Sequence, residues 1–337
     1  MSFIISGKDI FHFNLKIRTA LKNISIIMKH NKDINLFRSI LISLVILVHI
    51  VNFGHIYPSV KSSILSFLMP AFIMLTGYLV NINKSIKDFA QYILKIWLPY
   101  MFFVIGYAIL SLHLPVSDGI KILDTPTMLN ILFIKSIGPY WFFHVMMVCG
   151  IIYYSIFRLF HNSNTITKYS LFATAIILIS FLTPFLNIKA AIYYFIGVGI
   201  KHFIGDFSLI YRKSLWPIIP FSLLITRTDY HDWGTISVLV CVISFFCFSS
   251  FFISFLKEGK VKSLLEYIGR NTFPIYVFHP IFTMLSKFLL PVFRLDSTGI
   301  IHAISTVVIG IIGSLCMARC LDLLHISYLL GRKKILR

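Results

Sequence analysis

Long apolar runs separated by short polar connections constrain this chain more than any other feature. A helix crosses a bilayer with about 20 apolar residues. Runs near that length lie at 36–54, 63–82, 89–112, 139–160, 168–187, 189–204, 213–226, 234–256, 272–292 and 298–325. Charged residues make up only 13% of the chain, against about 25% in a typical soluble domain. We therefore predict an all-α polytopic membrane bundle of about ten transmembrane helices. The sixth and seventh are short, and the sequence does not determine where they begin and end.

The connections between these runs alternate in charge. Basic residues collect in every second connection, ending with the Arg-Lys-Lys stretch at 332–334. Connections rich in Lys and Arg stay in the cytoplasm, and an even number of spans places both termini there. We therefore predict a basic cytoplasmic N-terminal arm at 1–35 lying on anionic lipid, a membrane-embedded domain at 36–325, and a basic cytoplasmic tail at 326–337.

The net charge of +19 does not indicate a nucleic-acid partner. The basic residues are dispersed among the connections, as membrane topology requires, and no separate basic domain exists. The five cysteines include no Cys-x-x-Cys pair, and no histidine pair has His-Glu-x-x-His spacing, so we expect no metal site. All twelve acidic residues lie in connections or near span ends, which disfavours a transporter driven by a membrane carboxylate.

Arg38 and His49 form the strongest candidate site, because both are ionisable residues of the first apolar run. At about 100° per residue their spacing places them on one face of a helix, roughly 16 Å apart along its axis. A neutral imidazole can take a proton from a hydroxyl or attack an activated acyl group. A guanidinium can bind a phosphate with two parallel hydrogen bonds. The alternative for Arg38 is a simple anchor at the start of a helix.

Four stretches of the chain, taken in order, resemble the motifs of the bacterial integral-membrane acyltransferase 3 family. The first is the Arg38-x10-His49 spacing itself. The others are Pro-x-Phe-x-x-x-Thr-Gly-Tyr at 70–78, Tyr-Trp-Phe-Phe at 140–143, and Gly-Arg-Asn-Thr-x-x-Ile-Tyr-x-x-His at 269–279. Together they cover nearly the whole predicted membrane domain.

The resemblance implies a membrane O-acyltransferase of the bacterial cytoplasmic (inner) membrane. Such an enzyme moves an acyl group, commonly acetyl, from acyl-CoA to a hydroxyl of a surface polysaccharide or its lipid-linked precursor, such as O-antigen or capsule. Acetyl-CoA is then a donor substrate, and no bound cofactor is implied. The resemblance makes His49 catalytic and gives Arg38 a part in donor binding or site geometry.

The same resemblance nominates further substrate- or donor-binding residues, namely Thr76, Tyr78, Lys95, Trp141, Arg270, Asn271 and His279. Lys95 stands where many relatives carry arginine, and a lysine lacks the forked guanidinium that grips phosphate. For Tyr78 and Trp141 the alternative is a structural role, and Asn271 can equally cap a helix.

Two other functions remain open from the sequence. A glycan-lipid transporter or flippase would move its substrate without consuming acyl-CoA. A non-catalytic subunit of a glycan-synthesis complex would tolerate the loss of His49. The sequence also leaves open the acceptor sugar and its acylated position, the length of the acyl group, the choice between general-base and acyl-histidine chemistry, and the oligomeric state.

Overall fold

The computed structural model describes residues 32–113 and 119–337, and regular structure within these residues is helical throughout. Most of the predicted N-terminal arm, residues 1–31, lies outside the described residues. The principal helices are α1 (32–49), α2 (Val51–Ile56), α3 (Pro58–Leu79), α4 (Ile86–Ser111), α5 (Thr125–Leu129), α6 (Trp141–Leu159), α7 (Thr165–Leu182), α8 (Ile188–Gly199), α9 (Ile218–Ile225), α10 (Ile236–Ser254), α11 (Lys260–Arg270), α12 (Thr272–Leu285) and α13 (Ile300–Leu323).

Seven helical stretches among the described residues are long and apolar enough to cross a membrane. They are Pro58–Leu79, Ile86–Ser111, Gly138–Leu159, Thr165–Leu182, Ile236–Ser254, Thr272–Phe293 and Ile300–Leu323. The predicted class, a multi-pass helical membrane bundle, is therefore confirmed. The count of ten spans and the side of the termini stay predictions, because the seventh predicted run contains only the eight-residue α9.

Helix α3 is the most enclosed of the seven stretches, and it packs closely along α8. Gly77 of α3 lies against the carbonyl oxygen of Tyr194, and Gly197 of α8 lies against the carbonyl oxygen of Met74. A Cβ at either glycine would overlap that backbone. Small residues allow membrane helices to approach in this way, so Gly77 within its motif has a packing role.

The first predicted run is broken into two helices directly after His49. Ile50 is extended, with φ −74° and ψ 114°, and α2 starts at Val51. The Ile50 amide donates to Leu47 at 3.2 Å instead of continuing the α-helical pattern. Non-helical backbone in membrane proteins is tolerated where it is buried in protein or lines a cavity. Ile50 is fully buried, and His49 beside it lines a cavity.

The last residues fold back onto the bundle near the start of α1. Asp322 of α13 accepts hydrogen bonds from the amides of Ile335 at 2.7 Å and Leu336 at 3.1 Å. The fully buried Asn271 holds the Arg337 backbone, accepting from its amide at 2.7 Å and donating to its carbonyl at 3.0 Å. This return places residues of the basic tail in the wall of a cavity.

Candidate active site

Two neighbouring cavities open toward opposite ends of α3, one containing His49 and the other Arg38. The His49 cavity measures about 500 Å³ and is lined by the first half of α3, whereas the Arg38 cavity measures about 390 Å³ and is lined by the second half. Met69 and Tyr276 line both. Since a spanning helix has its ends on opposite sides of the membrane, the cavities face opposite sides and meet at these two side chains.

His49 is half-buried at the end of α1, and its ring is oriented by its own helix. Nδ1 lies 2.7 Å from the carbonyl oxygen of Val45. Because a carbonyl can only accept, Nδ1 carries the proton in the neutral ring and Nε2 carries the lone pair. His49, directly before the helix break, therefore has an unprotonated Nε2 in its neutral form, as a base or a nucleophile requires.

His279 of α12 lies beside His49, with ring centroids 5.0 Å apart and planes at 70°. It is fully buried, and its Nδ1 lies 2.8 Å from the carbonyl oxygen of Tyr276. Its Nε2 is buried without a hydrogen-bond partner among the described residues. His279 is therefore in contact with the candidate base and contributes to its packing.

Arg38 is half-buried, and its Nη2 donates a hydrogen bond to the hydroxyl of Thr272 at the start of α12. Gly269, at the end of α11, lies directly against the backbone of Asn35 one turn earlier. The Gly-Arg-Asn-Thr motif therefore docks on α1 and fixes the position of Arg38. The contact between Arg38 and Thr272 thus joins two motifs that lie 234 residues apart in the chain.

Basic side chains dominate the polar wall of the Arg38 cavity. The lining includes Arg38, Lys84, Arg270, Arg332 and Arg337, and among the residues that the structure describes this wall has no Asp or Glu side chain. Such a surplus of positive charge suits an anion, and guanidinium groups favour phosphate.

Arg332 is held in this wall by two kinds of contact. Its Nε and Nη2 donate to the carbonyl oxygen of Lys95 at 3.1 and 2.9 Å. Its guanidinium lies 3.8 Å from the ring centroid of Phe273, a cation–π contact. Burial, and then the nearby charge of Arg337, lower the pKa of Arg332 to about 10. A neighbouring positive charge that opposes protonation indicates a place where a bound anion would be stabilised.

The His49 cavity has a different lining, which combines aromatic rings and hydroxyl groups with a single lysine, Lys61. Trp141 and Trp233 flank it with ring centroids 5.8 Å apart. The Ser62 hydroxyl lies 3.0 Å from Nδ1 of His231. Nε2 of that ring lies 2.9 Å from a backbone carbonyl, so Nδ1 accepts from the serine.

The structure brings some of the sequence-predicted residues together and leaves others apart. Thr76 and Arg270 join Arg38 in one cavity, and Trp141 joins His49 in the other. The Thr76 hydroxyl, however, donates to the carbonyl oxygen of Phe72 in its own helix at 2.9 Å.

Four of the predicted residues, Tyr78, Lys95, Asn271 and His279, lie outside both cavity linings, and the first three have contacts of a structural kind. The Lys95 side chain is exposed, and its carbonyl is the group that Arg332 uses. The Tyr78 hydroxyl donates to the carbonyl oxygen of Gly205 at 3.1 Å. Asn271 holds the returning tail. The geometry thus favours a structural role for these three residues.

Residues that the sequence did not nominate complete both cavities. Arg332 and Arg337 were predicted only as parts of a basic tail. Their return depends on backbone contacts of the tail with Asp322, 13 residues before Ile335, and with Asn271, 66 residues before Arg337. The number of lysine and arginine residues in the tail was the one feature of the sequence that could have pointed to them. Trp233 lies in a polar connection where no periodic pattern marks it.

These observations define the class of protein first: a multi-pass membrane bundle with a basic cavity and a histidine cavity that meet inside it. The acyltransferase-domain family, acyltransferase 3, matches residues 31–319, and the chain belongs to this family. Among curated proteins and among solved structures none matches the chain. The protein is therefore a membrane acyltransferase, and the family match covers every cavity-lining residue except those of the returning tail.

Proposed function

We propose that this acyltransferase moves an acyl group, acetyl in the simplest case, from acyl-CoA to a hydroxyl of a cell-surface polysaccharide or its lipid-linked precursor, such as O-antigen or capsule. The reaction would take place in the bacterial inner membrane. The observation that carries the proposal is the pair of cavities of different chemistry, which face opposite ends of α3 and meet at Met69 and Tyr276.

The Arg38 cavity is the donor side of the proposal. Acyl-CoA carries several phosphates, and the cavity offers lysine and arginine side chains without a described Asp or Glu side chain. Positive-inside topology would place this side in the cytoplasm, where acyl-CoA is available. The apolar part of the lining, which includes Phe72 and Phe142, suits the uncharged arm and acyl group of the donor.

The His49 cavity is the acceptor side. A ligand site that is largely apolar with a few placed polar groups is typical for small molecules. A sugar presents both flat apolar ring faces and hydroxyls, so the Trp141 and Trp233 rings and the Ser62–His231 pair suit it. A hydroxyl of the acceptor in this cavity would lie within the same lining as His49.

In the general-base route, Nε2 of His49 takes the proton of the acceptor hydroxyl, and the hydroxyl oxygen attacks the thioester carbonyl. The carbon–sulfur bond breaks, the ester forms, and the proton passes to the leaving thiolate. In the nucleophilic route, Nε2 first attacks the thioester carbonyl, the carbon–sulfur bond breaks, and the thiolate takes a proton from the acylated ring. The acceptor hydroxyl then attacks the acyl group, and its proton passes to the imidazole as the nitrogen–acyl bond breaks. In both routes the thioester has to reach the junction at Met69 and Tyr276.

The test is transfer of isotope-labelled acetyl from acetyl-CoA to glycan by the purified protein in lipid vesicles. We expect His49→Ala to abolish the labelled ester while the exposed His113→Ala retains it, at equal protein levels. Undiminished transfer by His49→Ala would overturn the assignment of the base. A glycan-lipid transporter and a non-catalytic subunit both predict that even the unaltered protein transfers no label.

A further inference from the structure

A third cavity, which we call the α6–α7 cavity, lies beside the Arg38 cavity. It measures about 640 Å³ and is lined by the α3–α4 connection, the end of α6, the start of α7 and the turn that follows α8. Its cationic and titratable residues are Lys84, Arg158, His161, Lys168 and His202. Of these residues only Lys84 has a role assigned above, in the wall of the Arg38 cavity.

Among the residues that the structure describes, no Asp or Glu lines the α6–α7 cavity, although Asp88 accepts a hydrogen bond from the lining residue Ser85 at 2.7 Å. The ion pairs formed by the described residues, Lys189 with Asp232 and Lys262 with Glu258, lie elsewhere. Lys168 donates only to the carbonyl oxygen of His161, at 3.0 Å. A concave surface with this charge is suited to a phosphate-bearing ligand.

Two further aromatic rings, Tyr154 and Phe157, line the cavity, and the remaining lining residues are Ile82, Asn83, Ser85 and Thr165. The Phe157 and His202 rings stack with centroids 4.7 Å apart, and Nε2 of His202 lies 2.5 Å from the hydroxyl of Tyr153. Tyr154 lines the cavity and donates to the carbonyl oxygen of Lys84 at 3.0 Å. Fixed aromatic rings beside lysine and arginine are the combination that proteins use for a base and its phosphates.

Lys84 connects this cavity to the donor side, because it lines both the α6–α7 cavity and the Arg38 cavity. The Arg38 cavity, about 390 Å³, is near the lower end of the range of about 300–1,000 Å³ for pockets that enclose a ligand. Its basic wall suits the diphosphate of acyl-CoA and its apolar lining suits the arm and acyl end, so the adenosine with its ribose phosphate needs a second space within reach. The α6–α7 cavity is that space.

We propose that the α6–α7 cavity binds the phosphorylated nucleotide end of the acyl-CoA donor, with Lys84 between the nucleotide and the acyl arm. The inference rests on the proposed function. Phosphate chemistry of the same kind is offered by the headgroup of an anionic lipid, so the experiment separates the two sources.

The experiment compares two donors with the full-length protein in lipid nanodiscs. Acetyl-CoA carries the nucleotide, and acetyl-pantetheine has the same thioester without it. We expect Arg158→Gln and Lys168→Gln each to raise KM for acetyl-CoA about tenfold with kcat unchanged, and to leave KM for acetyl-pantetheine unchanged. Lys168→Arg keeps the charge and should stay within about twofold of the unaltered protein. Lys257→Gln, in an exposed connection, is the matched control and should change neither KM.

Several results would overturn the inference. Equal rises in KM for both donors would mean a general effect on the fold, and unchanged values for both would mean that the nucleotide lies elsewhere. A rise that disappears in nanodiscs without anionic lipid would assign the cavity to a lipid headgroup. If the unaltered protein transfers acetyl from neither donor, the proposed function itself fails, which is a different result from a failure of the nucleotide site alone.

Discussion

The two cavities that meet at Met69 and Tyr276 are built in different ways. The Arg38 cavity collects cations from α1, the α3–α4 connection, the α11–α12 junction and the returning tail. The His49 cavity is centred on one broken helix and has aromatic and hydroxyl groups around a single imidazole of α1. A charged wall recognises a ligand, whereas an oriented imidazole changes the barrier of a reaction. Substitutions in the first should therefore raise KM for the donor, and substitutions in the second should lower kcat.

The largest effect is expected for His49→Gln. Glutamine keeps polarity and approximate volume but cannot serve as a base, so kcat should fall by a factor of about 10²–10⁴ while KM for acetyl-CoA changes little. Steady-state kinetics of labelled acetyl transfer measure both values. A large rise in KM with an unchanged kcat would contradict the division of roles between the cavities.

A smaller effect, confined to donor binding, is expected for Arg38→Lys. Lysine keeps the charge but loses the planar fork and its hydrogen bond to Thr272. We expect KM for acetyl-CoA to rise about tenfold with kcat within about threefold of its original value. Arg212→Lys, at an exposed position, controls for the general effect of the exchange. If KM stays unchanged, Arg38 acts only as an anchor for the helix.

The returning tail gives a further way to separate the two cavities, because its residues line the Arg38 cavity and none lines the His49 cavity. Asn271→Ala removes the hydrogen bonds that hold the Arg337 backbone. KM for acetyl-CoA should rise about threefold to fivefold, with kcat unchanged and a lower temperature of thermal unfolding. Lower kcat at constant KM would show that the tail acts on the His49 side instead.

The sequence was sufficient where the signal is local. The apolar runs predicted the class of fold, and the Arg38–His49 spacing together with its companion motifs indicated the family that the match over 31–319 confirms. The break after His49 was not predicted, because Ile50 is neither proline nor glycine and a broken span has no other strong sequence signal.

The basic wall could not be predicted in detail, because its geometry depends on contacts between distant segments. Lys95 was nominated from its motif position, yet its backbone carbonyl, and not its side chain, enters the site by binding Arg332. Arg332 itself is 237 residues away from Lys95 along the chain. A pattern of residue types within one helix carries no information about such a return of the chain.

The smallest effect is expected at the rim of the His49 cavity, where an ion pair holds the connection that carries His231 and Trp233. Lys189 lies 2.7 Å from Asp232, and its hydrogen bond lowers the pKa of that carboxyl. Because the pKa of Asp232 is lowered, the ion pair is present above the usual aspartate range and is lost only as the pH falls through the lowered value. We therefore expect the ion pair to cause no change in activity between about pH 5 and 8. Because the pair is exposed, Asp232→Asn should raise KM for the acceptor less than about threefold and leave KM for acetyl-CoA unchanged. A rise in KM for acetyl-CoA of equal size would show that the rim of one cavity controls the other, and the separation between donor and acceptor sides would then be wrong.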